Sequence, residues 1–249
     1  PYGLSLIDAS NGKSIWDRAI TGYAAAQNAT WSGKAAHFFV GQDHHSVAIS
    51  SGEPTGSLSL REGVTVTSRK GEGYETVRNA KLPKAKKPIT YFTNLIVGNY
   101  HYFRSFGGFF IGRVNLKSPK VEYLQVPVQV IRKAGREDEV NWEESLPNDM
   151  KNSGGFRATQ DKRNAGSGWG HVSSAPPVVV GDLIYFPTMV GMVYVLEWNA
   201  PVLNEDALVS WSDLGPAGET WSLSGLAYAD GRLYARTLKE LLCIGPKVE

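Results

Sequence analysis

Apolar residues along this chain fall in short runs, rich in β-branched and aromatic side chains, with glycine, asparagine or aspartate between them. Runs of that kind predict consecutive antiparallel strands joined by tight turns rather than helices. The clearest unit spans Ser174 to Asn199, SAPPVVVGDLIYFPTMVGMVYVLEWN. It divides into an apolar strand Val178 to Val180, a Gly-Asp turn, a strand LIYFPTM, a turn at Gly191 and a strand MVYVLEW. ALVSW, from Ala207 to Trp211, supplies a fourth, outer strand.

The same grammar recurs. From Ser224 to Gly245, SGLAYADGRLYARTLKELLCIG carries its first turn at Asp230-Gly231, then strands RLYART and ELLCI. From Thr93 to Leu116, TNLIVGNYHYFRSFGGFFIGRVNL turns at Gly98-Asn99 and Gly107-Gly108, and VEYLQV from Val121 follows as a fourth strand. Tyr185, Tyr234 and Tyr102 take equivalent places after the first turn, where a mid-sheet strand would bury the ring. A weaker copy runs from Ala29 to Pro54, and GLSLIDASNGKSIW at the N-terminus reads as the last two strands of a unit, turning at Ser10-Asn11-Gly12. Two stretches, near 61–88 and 133–170, are polar, charged and Gly-rich, and are expected to be insertions between repeats.

Pro177 to Leu196 and LIDASNGKSIW resemble the blade motifs of the pyrroloquinoline-quinone-like β-propeller family. The resemblance implies an all-β fold, a β-propeller of four-stranded antiparallel blades, with four fuller blades plus a half blade. Residues 1–249 would then be one propeller domain or the C-terminal part of one, and the ring could be incomplete. In that family a tryptophan closes one blade against the next. Trp16 matches that position, and Trp198 and Trp211 match it more loosely.

Composition narrows the functional classes. The chain has 249 residues, 42% of them hydrophobic, which suits a globular protein with a sizeable core. Lys and Arg number 26 against 24 Asp and Glu, a balance that argues against nucleic acid as the main partner. Lys81, Lys84, Lys86 and Lys87 form the one local excess, expected to be a solvated loop. No apolar run reaches the roughly 20 residues of a membrane-spanning helix.

Candidate chemistry is sparse. Cys243 is the only cysteine, expected to be a small buried hydrophobe in LLCIG. A single cysteine cannot form the vicinal disulfide that the resemblance attaches to quinone-binding alcohol dehydrogenases, so no quinone cofactor is expected. QDHH places His44 and His45 where a strand-to-strand turn is expected. Neighbouring residues on a strand point to opposite faces, so the pair suits a surface turn better than a metal site, even with His37 nearby. His101, in NYHYF, is expected to be a half-exposed cross-strand partner. The carboxylates Glu137, Asp138, Glu139, Glu143 and Glu144 are expected to be solvated, and GSGWGH from Gly166 to His171 lacks the strand-before, helix-after setting of a phosphate loop. By analogy with propellers, Trp169, His171, Ser173, Glu219, Thr220 and Trp221 lead into innermost strands and would line a ligand-binding channel mouth. Trp169 and Trp221 could equally cap the core between blades. The expectation is a non-catalytic binding or assembly scaffold, periplasmic or secreted, with a protein or carbohydrate partner. The alternative is a fragment of a quinoprotein dehydrogenase or a carbohydrate-active propeller enzyme.

Overall fold

In the computed structural model, residues 3–19, 29–84, 90–105, 109–132, 135–142, 152–155, 175–188, 191–220, 222 and 224–246 are described. They form an all-β protein with one helical turn, α1 (Ala217–Thr220), and one short 3-10 turn at Glu205–Ala207. A hairpin of β1 (Gly3–Ile7) and β2 (Ser14–Ala19) comes first. The first blade is the four-stranded meander β3 (Thr30–Ser32), β4 (Ala35–Val40), β5 (Asp43–Ala48) and β6 (Pro54–Ser59).

The stretch near 61–88, expected to be an insertion between repeats, contains two strands. β7 (Glu62–Lys70) and β8 (Gly73–Lys81) form a long hairpin. The hairpin joins the second blade, made of β9 (Thr90–Val97), β10 (Tyr100–Ser105), β11 (Phe110–Asn115) and β12 (Lys120–Gln125). β7 pairs in parallel with β12, giving a six-stranded sheet of order β8-β7-β12-β11-β10-β9. The segment is strand-forming because V-T-V alternates and Gly71 closes the hairpin at φ 62°.

A short pair, β13 (Gln129–Ile131) and β14 (Glu139–Asn141), follows, so Glu139 is a strand residue. The third blade contains β15 (Val178–Val180), β16 (Leu183–Pro187), β17 (Met192–Glu197) and β18 (Leu208–Asp213), matching the sequence division closely. The fourth has three strands, β19 (Ala227–Ala229), β20 (Arg232–Arg236) and β21 (Leu241–Ile244). These are β-propeller blades: each is an up-and-down sheet entered by a two-residue turn, at Gly33-Lys34, Gly98-Asn99, Gly181-Asp182 and Asp230-Gly231. Three of those turns place glycine first at positive φ, and the last holds Asp230 at 50° and Gly231 at 75°.

Blades pack face to face, and the alternation of strand residues decides which seam each side chain enters. On β10, His101 and Phe103 face the first blade, while Tyr102 and Arg104 face the third. The seam between the first and second blades holds Phe39, Leu60, Val64, Phe103, Val114, Val121 and Tyr123. The next seam holds Tyr102, Ile111 and Leu124 against Ile184, Phe186, Met192 and Tyr194. Gly112 is required by the first of these: a Cβ there would lie 2.4 Å from Phe103 Cζ.

The three repeat tyrosines are not equivalent. Tyr102 is fully buried, but Tyr185 and Tyr234 are only half-buried, because their strands expose that face. The third blade buries Tyr194 instead, one strand further out. Cys243 is exposed, not buried, because the outer face of β21 has nothing packed on it among the described residues. Trp16 does fasten the N-terminal hairpin to the first blade: its Nε1 donates to Ile49 O at 2.7 Å and its ring covers Gly52. Trp198 bridges two blades, covering Gly98 of the second and donating to Gly181 O of its own at 3.0 Å, while Trp211 stays 36% exposed.

Candidate functional site

The hairpin of β4 and β5 turns at Gly41-Gln42, not at the histidines. That register puts Val40 opposite Asp43, Phe39 opposite His44 and His37 opposite Ser46. His44 therefore lies inside a strand and points into the seam between the first and second blades, only 5% exposed. His45 takes the other face and stacks on Phe38, with ring centroids 5.7 Å apart. His37 is 7% exposed and lies nearly parallel to His44, at 5.4 Å between centroids.

His101 meets them from β10. It is fully buried, contrary to the half-exposed position expected, because β10 is covered on both faces. His44 Nε2 and His101 Nδ1 are 3.1 Å apart, and His101 Nε2 lies 3.1 Å from Asn94 Oδ1 and 3.2 Å from Thr30 Oγ1. An amide oxygen only accepts, so with Asn94 so oriented the single proton of neutral His101 sits on Nε2. Its Nδ1 then accepts from the Nε2–H of His44. The chain of donors runs from the first blade through His44 to His101 and on to β9.

The cluster is held neutral. Burial pushes His44 down to about 3, helped by His37 and His45, and burial drives His101 well below the usual histidine value, helped by His44 and His37. Burial also lowers His37, whose Nδ1 is buried without a hydrogen-bond partner. Phe39 supplies the apolar wall, 5.2 Å from His44 and 4.6 Å from His101 between ring centroids. Beside the rings lies a cleft of about 110 Å³, lined by His37, His44, Ser46, Leu58, Val114 and Asn115 among others. Among the described residues, no group of three or more His, Cys, Asp or Glu is arranged to hold a metal ion.

Of the six residues expected at a channel mouth, Trp169, His171, Ser173 and Trp221 lie outside the described residues. Glu219 and Thr220 close α1. Thr220 is buried, donates its hydroxyl to Pro216 O at 3.1 Å and packs against Gly191. The Glu219 carboxylate accepts the Ser153 amide at 2.5 Å, and hydrogen bonding from the Ser153 side chain and then its amide lowers its pKa. The histidine cluster, by contrast, was not expected. The one local signal is the glycine of V-G-Q-D, which favours a turn at Gly41, where φ is 60°.

No protein-family profile and no curated protein matches this sequence. Among solved structures, the chain is similar to the computationally designed Ika4 protein, at 8% identity and TM-score 0.45 over 91% of this chain and 95% of that one. It is also similar to BamB from Moraxella catarrhalis, at 12% identity and TM-score 0.29 over 95% of this chain and 76% of that one. A third, apo AztD from Citrobacter koseri, gives 14% identity and TM-score 0.32 over 84% of this chain and 53% of that one, so the chain spans about half of AztD. These likenesses transfer no residue role and no activity.

Proposed function

We propose that this chain is a non-catalytic β-propeller scaffold that binds a protein partner on the outer face of its fourth blade. One observation carries the reading. β17, the third strand of the third blade, is buried on both faces from Met192 to Leu196, whereas its counterpart β21 is largely exposed. Cross-strand pairing puts Tyr234 beside Cys243 and Arg236 beside Leu241, on the same face as Arg232. Leu241 is 69% exposed there, with Arg236 and Cys243 also open to solvent. A blade face that carries apolar and cationic side chains and lies uncovered among the described residues fits a partner with an apolar patch and an acidic rim.

The reading includes a periplasmic or secreted setting and no quinone cofactor, as the resemblance to quinoprotein-like blades and the single cysteine suggest. Its test is a photo-crosslinking side chain placed at Leu241, used in extracts of the native source. One discrete protein adduct is expected, lost when Arg236→Glu reverses the nearby charge. Saturable binding of pyrroloquinoline quinone with calcium, accompanied by dye reduction, would replace the scaffold by the dehydrogenase alternative.

A further inference from the structure

The buried histidines have a consequence that is independent of the scaffold reading. The geometry points to an acid-labile seam: His37, His44 and His101 hold the first and second blades together only while neutral, and proton uptake parts these two blades before the second and third separate.

Each part of the cluster opposes a second proton. His101 already donates from Nε2 to Asn94, so a further proton must go on Nδ1, where it meets the Nε2–H of His44 at the 3.1 Å contact. That hydrogen bond survives one proton only if His44 moves its own proton to Nδ1, and a second proton sets two donors face to face. A proton on either ring also places a charge among Phe39, Phe103 and the stacked His37.

Among the described residues the surroundings offer no counter-charge. The titratable groups bearing on His44 are His37 and His45, and those bearing on His101 are His44 and His37. β3 contributes Thr30, β9 contributes Asn94, and the cleft side contributes Ser46, Ser57, Leu58, Val114 and Asn115, all uncharged. Parting the blades hydrates the rings and restores their ordinary affinity for protons, so acid favours the parted state. For each ring that stays neutral in the closed seam, the opening equilibrium rises about tenfold per pH unit below ~6.5.

The neighbouring seam lacks this sensitivity. It is fastened by Arg113, which stays charged throughout, and by tyrosine hydroxyls that burial pushes up, Tyr102 and Tyr194 both to about 12. Acid therefore acts on one seam and spares the next.

The test is hydrogen exchange on the full chain between pH 7.5 and 5, with protection of each amide expressed relative to intrinsic exchange at the same pH. Protection of β4 and β5 should fall at least tenfold per pH unit below about 6.5, while that of β16 and β17 holds. His44→Gln, which keeps a donor for His101, and separately His37→Leu, should each make the fall shallower. Addition of a chelator should change nothing. Equal loss across all blades, an unchanged slope in both variants, or a chelator effect on β4 and β5 would each overturn the inference. So would ring signals of His44 and His101 titrating near 6.5 with protection intact.

Discussion

Two seams flank the second blade, and they solve the same packing problem with different chemistry. Both bury apolar strands face to face, and both must satisfy polar groups that the fold takes out of water. On the first-blade side the polar content is three neutral imidazoles, one of them with a buried nitrogen lacking a partner. On the third-blade side it is two guanidiniums, Arg104 lying 4.8 Å over the Tyr194 ring and Arg113 beside Glu122. Arg113 donates from Nε to Glu122 at 2.7 Å, and from Nη1 to Ala200 O at 2.7 Å and to the Tyr102 hydroxyl at 3.1 Å. It also lies 4.1 Å above the Tyr100 ring, and Tyr102 OH donates onward to Trp198 O at 2.8 Å. Tyr194 reaches Pro127 O in the same seam. A permanent cation with a carboxylate and two carbonyl oxygens in the network makes a fastening indifferent to ordinary pH. Neutral imidazoles without a carboxylate make one that depends on it.

The sharpest way to break that comparison is Arg113→Ala. Removal deprives Glu122, the Tyr102 hydroxyl and Ala200 O of the guanidinium donor, and breaking such a buried network costs about 3–5 kcal/mol. Urea unfolding should show that loss at pH 7.5 and again at pH 5.5, since Arg113 is charged at both. A loss under about 1 kcal/mol would mean the guanidinium is not the fastening.

Acid should act on the other seam. The folded histidines sit below their unfolded value near 6.5, so below that pH the unfolded chain binds more protons than the folded one. Their contribution is therefore fully present above about pH 6.5 and is lost as pH falls towards the folded value. Between pH 6.5 and 5 each ring that stays neutral should cost about 2 kcal/mol of global stability. Urea midpoints across this range check it, and a flat profile would show the rings to be hydrated.

Tyr102→Phe gives a smaller effect. It removes a hydroxyl that both accepts from Arg113 and donates to Trp198 O, and should cost about 1–2 kcal/mol with little dependence on pH between 5 and 7.5. The smallest effect lies outside both seams. Arg18 pairs with Glu53 at the surface, where both side chains are largely solvated, so Arg18→Ala should change stability by less than about 0.5 kcal/mol. Thermal unfolding of both variants beside the parent orders the two.

Much of this was legible because the repeat is written in turn residues. Gly98-Asn99, Gly181-Asp182 and Asp230-Gly231 each mark a two-residue hairpin, and the apolar runs on either side are the strands that form. The hairpin Glu62–Lys81 was harder to see because both faces of β8 are largely solvated, which leaves a strand without apolar alternation. Its stability comes from pairing with β12, a contact between residues far apart in the chain. The histidines were missed for a related reason. A turn displaced by one residue reverses inside and outside for every side chain on the strand after it, and V-G-Q-D allows more than one placement until the partner strand is known.

The sequence by itself determined an all-β meander, the position of its main turns and the tryptophan that fastens the N-terminal hairpin, since these rest on local backbone chemistry and period-two alternation. The tertiary structure alone decided which face of each buried strand meets which blade. A strand apolar on both faces carries no local mark of its orientation, so only the approach of neighbouring sheets could bring His37 and His44 to His101, and Arg113 to Ala200.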